Sequence, residues 1–148
     1  YGGLPANKDL YGALYNWFAA NNANICPTGW RVPSDPDFIA LEVALGMDAA
    51  TAAEREWRGD DEGTRLKSTS GWKELPGTNS SGFNGVPAGF RIYTEGKFMQ
   101  MGEVAYFWST TSDSDERAMS RQLDWKHENV ERAASMKTAG KSIRCVKN

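Results

Sequence analysis

Apolar and polar positions alternate with a period of two over residues 119–125, where Met119, Arg121, Leu123 and Trp125 interleave with Ser120, Gln122 and Asp124. That spacing predicts a strand with two unlike faces. Ser120, Gln122 and Asp124 are expected to share the polar face, with Met119, Leu123 and Trp125 pointing inward. Phe90-Arg91-Ile92-Tyr93 and Lys97-Phe98-Met99-Gln100 flank Thr94-Glu95-Gly96, a hairpin pattern. Val104 to Thr111 reads as a buried strand, and Val130 to Met136 and Ser142 to Val146 complete a set of strands in the second half.

The first half follows another period. Tyr11, Leu14, Tyr15 and Phe18 fall at i, i+3, i+4 and i+7, one face of a helix that should end near Asn21-Asn22. Ser34 is placed to cap a second helix by accepting from the amide of Asp37. Asp35 and Asp37 suit the positive end of that helix, and Pro36 is tolerated in its first turn. Phe38, Leu41 and Leu45 give its buried face, and Gly46 ends it. A third, weaker helix is predicted from Asp48 to Trp57, with Gly59 as terminator. Helices first and an antiparallel sheet afterwards read as α+β, in a single domain over 1–148. Between the halves, Ser68 to Gly89 is rich in Gly, Ser, Asn and Pro, with Trp72, Leu75, Phe83 and Val86 as apolar anchors. A loop of that length is either functional or an ordered Ω-like loop pinned by Trp72 and Phe83.

Composition narrows the function classes. Lys plus Arg total 17 against 19 Asp plus Glu, a net charge of -2, which lacks the footprint of a nucleic-acid binder. No stretch approaches the length of a membrane span. The chain begins at Tyr1 without Met, which leaves room for a removed upstream segment. The two cysteines, Cys26 and Cys145, read either as one disulfide suited to an oxidising compartment or as two buried thiols.

Candidate chemistry is sparse. His127 is the only histidine, which makes a Ser-His-Asp triad a weak expectation, and no cluster has zinc spacing. Two acidic runs, Asp60-Asp61-Glu62 and Asp113-Ser114-Asp115-Glu116, have the oxygen ligands that calcium takes, but neither follows a known calcium loop; solvated turns are the simpler reading. Neither cofactor nor metal is therefore expected. Arg58-Gly59-Asp60 matches a short integrin-binding tripeptide, for which a helix terminator at Gly59 is the better account.

Several motifs in order carry a family resemblance. Tyr11-Gly12-Ala13-Leu14-Tyr15-Asn16-Trp17 is followed by Cys26-Pro27-Thr28-Gly29-Trp30-Arg31-Val32-Pro33-Ser34-Asp35. The middle holds Arg58 to Lys67 and Ser81 to Arg91, and the end holds Phe107-Trp108-Ser109-Thr110-Thr111 and Ser142 to Lys147. Together these resemble the Fibrobacter succinogenes major paralogous domain, found in surface proteins and lipoproteins of Bacteroides and relatives. The resemblance implies a C-type-lectin-like fold, similar to formylglycine-generating enzymes, with two to three N-terminal helices on a twisted antiparallel sheet and long ordered loops. It implies an exported domain on a bacterial surface, and with that a Cys26–Cys145 disulfide joining an early segment to the last strand. It also places Trp30, Trp72, Phe83 and Trp108 in the core. The chain departs from both comparison groups. No Cys lies between Phe107 and Arg144 to start formylglycine chemistry, and the calcium-lectin strings E-P-N, Q-P-D and W-N-D are absent.

The resulting expectation is a non-catalytic surface binding or adhesion module for a glycan or protein ligand, monomeric within a larger exported protein. The ligand surface is expected between Ser112 and Met136. There relatives read as Asn-rich runs, and this chain carries Ser120, Gln122, Asp124, Lys126, His127 and Glu131 as its candidate ligand-binding residues. The alternatives are a carbohydrate-active enzyme using a carboxylate pair such as Asp113 with Glu131 or Asp124 with Glu128, and a structural spacer.

Overall fold

A computed structural model describes residues 5–148. It is α+β, with five short helices preceding or flanking antiparallel sheets. The helices are α1 (Pro5–Tyr11), α2 (Trp17–Ala20), α3 (Asp35–Ala44), α4 (Ala49–Ala53) and α5 (Glu62–Leu66). The strands are β1 (Trp30–Arg31), β2 (Glu56–Arg58), β3 (Phe90–Arg91), β4 (Phe98–Met99), β5 (Val104–Ser112), β6 (Arg117–Asp124), β7 (Val130–Met136) and β8 (Val146–Lys147). The main sheet has the order β2-β7-β6-β5, and β1-β8 and β3-β4 form two-stranded ribbons.

The β5, β6 and β7 strands and the β3–β4 hairpin lie where the sequence predicts them. At the C-terminal end only Val146 and Lys147 pair as a strand, with Arg31 and Trp30. Ser142, expected inside that strand, makes an isolated bridge to Phe107 instead. The α3 helix forms as its cap predicts. Ser34 Oγ accepts from the Asp37 amide at 3.3 Å, and the Asp37 carboxylate accepts from the Ser34 amide at 2.7 Å, closing a capping box.

Two helix expectations fail. Tyr11 to Phe18 is not one helix, because Gly12 takes a left-handed φ of +74° that ends α1. Tyr15 then bridges Lys141, and Asn16 caps α2 by accepting from the Ala19 amide at 2.9 Å. The change of register buries Trp17 and leaves Phe18 59% exposed. The third helix stops at Ala53, and residues Glu56–Arg58 form β2 at the edge of the main sheet. Gly59 therefore ends a strand, and Arg58 is buried in an ion pair with Glu42 at 2.5 Å, so the Arg-Gly-Asp tripeptide is not displayed.

One face of the main sheet packs under α3, where Phe38 meets Leu66, Trp72, Ala105, Phe107, Leu123 and Val130. A charged network crosses the same interface. Arg121 Nη1 binds Asp35 Oδ1 at 2.6 Å, Arg121 Nε binds Glu42 Oε1 at 2.6 Å, and Arg132 Nη2 binds Asp35 Oδ2 at 2.7 Å. Burial pushes the Asp35 carboxyl up, but the hydrogen bonds from Arg132 and Arg121 outweigh it and hold the group below its ordinary range. On the opposite face, Trp108 packs with Trp17, Ala20, Ala118 and Ala139.

The disulfide expectation holds: Cys26 and Cys145 are bonded, with Cα atoms 5.9 Å apart. Trp72 and Trp108 are core as expected, and Phe83 is half-buried against the α3 cluster. Trp30 is not core. It is 45% exposed because the β1–β8 ribbon carries it to the surface. The 68–89 segment has the Ω-like order of its second reading. Ser68 N donates to Gly85 O at 2.9 Å, Gly77 N to Ser68 O at 2.9 Å, and buried Trp72 anchors it.

Candidate ligand-binding face

Tyr106, Gln122, Glu131 and Trp57 stand directly opposite one another across β5, β6, β7 and β2. Residues in register on an antiparallel sheet share a face, so the four side chains form one transverse row. The row lies on the side away from α3, and all four residues are half-buried. Neither the Gln122 amide nor the Glu131 carboxylate is hydrogen-bonded to a described residue.

The turn after β6 extends the row. Asp124 Oδ1 accepts from the amides of Lys126 and His127 at 2.9 and 2.8 Å, and the two carboxylate oxygens contact His127 Nδ1 at 2.9 and 2.8 Å. The imidazole so held stacks on Trp57, with centroids 4.0 Å apart and planes at 23°. Buried Lys67 braces the turn from below, donating to Asp124 O and His127 O at 3.0 Å each. This arrangement fixes an aromatic pair beside two free polar groups, the rigid support that a binding site needs.

Lys141 underlies the other end of the row. It is 3% exposed, and its Nζ donates to Ser120 Oγ at 3.0 Å and to Ser135 Oγ. The ammonium also lies 4.2 Å from the Tyr106 ring centroid and 4.7 Å from that of Trp108. Burial lowers the amine from 10.5 to about 7, opposed in part by Glu131. The Glu131 carboxyl is raised above its ordinary range by burial and by nearby Glu56, with Lys141 pulling the other way. Burial and the charge of Glu131 push the Tyr106 phenol up to about 12. Tyr106, Ser135 and Lys141 border an adjoining pocket of about 340 Å³, with Phe90, Ile92 and Tyr93 on its far wall.

The structure thus divides the expected site residues. Gln122, Glu131, Lys126 and His127 reach or approach the surface of this face. Ser120 and Asp124 lie on the expected side of β6 but are not an exposed platform. Ser120 is 2% exposed beneath Lys141, and Asp124 is buried as the brace of its turn. Met119 and Leu123 point inward as expected, and so does Arg121; Trp125 is half-buried under Lys73 and Lys126. The alternation missed Trp57, which reads as the end of a helix, and Tyr106, which sits in a run that reads as wholly buried. Lys141 left no local signal.

Three carboxylates of the acidic runs are engaged elsewhere. Asp61 pairs with Arg65 at 2.7 Å, Glu62 Oε2 accepts from the Asp60 amide at 2.8 Å, and Asp113 pairs with Arg55 at 2.5 Å. No group of three or more potential metal ligands occurs among the described residues, and no described helix is long and apolar enough to cross a membrane.

No curated protein and no solved structure matches the chain. A family model does, over residues 1–147. That match takes in every element of the face described above, and the chain belongs to the Fibrobacter succinogenes major domain family.

Proposed function

We propose that the protein is a non-catalytic recognition module that binds a glycan on the Tyr106–Gln122–Glu131–Trp57 row. The observation that carries this reading is the pair of unengaged polar groups, Gln122 and Glu131, fixed between aromatic side chains on a rigid sheet. Amide and carboxylate groups exchange hydrogen bonds with hydroxyls, and the stacked Trp57–His127 pair and Tyr106 offer apolar surface to a sugar ring. Recognition of a hydroxyl-rich ligand suits this mixture better than recognition of a flat apolar protein surface. The helices-then-sheet order and the link between Cys26 and Cys145 support a C-type-lectin-like arrangement. The disulfide also supports work outside the reducing cytosol, on a bacterial surface as part of a larger exported protein.

One observation favours a second reading. Burial and nearby Glu56 hold the Glu131 carboxyl above its ordinary range, so a glycan-acting hydrolase would use Glu131 as its proton donor, while Asp113, the partner first expected for it, is ion-paired to Arg55. A glycan array with a hydrolysis screen on the same glycans tests both. Retention of at least one glycan class without cleavage supports the binding module. Cleavage supports the enzyme. Silence on the array together with capture by a purified surface protein overturns the glycan reading.

A further inference from the structure

A second pocket, of about 360 Å³, lies on the other side of the molecule, beside α3 and the β1–β8 ribbon. Its walls include Trp30, Phe38, Leu41, Phe83 and Val146, and its polar rim carries Arg144. The volume falls in the range of small-ligand sites. Trp30 is exposed here although its ring belongs chemically with the core. An aromatic side chain held at the surface beside a concavity is where ligand contact is expected rather than packing.

Arg144 supplies the second observation. Its guanidinium stacks on Phe83, 4.8 Å from the ring centroid, and Nη2 donates to the Phe83 and Asn84 carbonyls. No described carboxylate pairs with it; Nε is buried without a partner, and Nη1 makes no hydrogen bond to a described residue. Burial alone lowers its pKa, and the guanidinium stays charged regardless. The other charges do not neutralise it. Asp37 is consumed by Arg31 at 2.5 and 2.9 Å and by Ser34, and Lys147 adds another cation to the lining.

We propose that this pocket is a separate binding site for the free C-terminus of a peptide ending in an apolar residue. The apolar side chain fills the space between Trp30, Leu41 and Phe83, and the carboxylate meets Arg144 Nη1 in a charge-assisted hydrogen bond. A sugar fits poorly, since apart from the cations Arg144 and Lys147 the polar side chains of the lining are already engaged. Ser81 Oγ, for instance, donates to Arg65 O at 2.8 Å and accepts from the Phe83 amide at 3.1 Å.

The test uses N-acetyl-Leu-Phe as free acid and as C-terminal amide, titrated into the isotope-labelled, disulfide-intact chain while the Trp30 indole resonance is followed. The acid is expected to shift that resonance and to bind about tenfold or more tightly than the amide. Trp30→Ala, at a position that packs little, is expected to weaken the acid about tenfold while the chain stays folded. Arg144→Gln should equalise acid and amide; if it fails to fold, the acid–amide comparison on the unchanged chain decides alone. No Trp30 shift up to about 10 mM acid, equal affinity for acid and amide, or tighter binding of glucuronate than of the peptide acid would overturn the proposal.

Discussion

Arg121 Nε meets Glu42 Oε1 at 2.6 Å, joining residues 79 positions apart in the sequence, with both side chains almost fully buried. The pair ties β6 to α3, and Arg58 and Asp35 extend it on either side. Charges withdrawn from water tolerate removal of one partner poorly. Glu42→Ala leaves two guanidinium groups facing an empty site, and is expected to cost about 3–5 kcal/mol. Denaturant titration should show a lower midpoint at unchanged slope.

Two of the tryptophans expected in the core differ in kind. Trp108 is fully buried, and its Nε1 donates to Tyr15 O at 2.9 Å, whereas Trp30 stands at the surface. Trp108→Ala is expected to cost about 3–5 kcal/mol. Trp30→Ala should stay within about 0.5 kcal/mol. Equal thermal shifts for the two variants would contradict the placement of Trp30.

The Cys26–Cys145 bond closes most of the chain into one loop, with a sequence separation of 119. Replacing both by Ser is expected to cost about 2–5 kcal/mol. Intact mass after alkylation, with and without reductant, should find no reactive thiol in the folded, unreduced protein.

Lys141 gives stability a pH dependence of known sign. The unfolded chain holds this amine charged up to about 10.5, the folded chain only up to about 7. Between those limits the unfolded state binds more protons, so the Lys141 contribution makes stability rise with pH across the window. Below about pH 7 both states are charged and the full penalty of burial is present. Lys141→Met should flatten the rise when denaturant midpoints are compared from about pH 7 to about pH 10. A parallel rise in the variant would show that the dependence comes from other groups.

What the sequence displays follows from how far each signal reaches. The β6 strand is legible because alternation is local and one of its faces lies on the core, and β5 because a short apolar run is local too. The α3 cap is legible for the same reason, since Ser34 and Asp37 answer each other within one turn. The Tyr11–Phe18 stripe misleads because its spacing ignores Gly12, whose backbone breaks the helix. Trp30 misleads because apolar character says nothing about which strand ends carry a ring outward. Lys67 and Lys141 are polar by residue type, and contacts as far as 57 and 21 residues away help make their burial tolerable. The candidate face was half legible. Gln122 follows from the alternation, His127 from the turn after it and Glu131 from the family resemblance, but Trp57 and Tyr106 join them only through cross-strand register.

The most direct measurement is the affinity of the best glycan from the array for the unchanged chain and for the double variant Gln122→Ala/Glu131→Gln. Both positions are half-buried, and their side-chain polar atoms bond nothing in the described chain, so thermal stability should move by under about 1 kcal/mol. Affinity should fall about tenfold or more, mostly through faster dissociation. Unchanged affinity in the double variant, with loss on substitution in the 68–89 segment instead, would contradict the assignment and move the site to that loop.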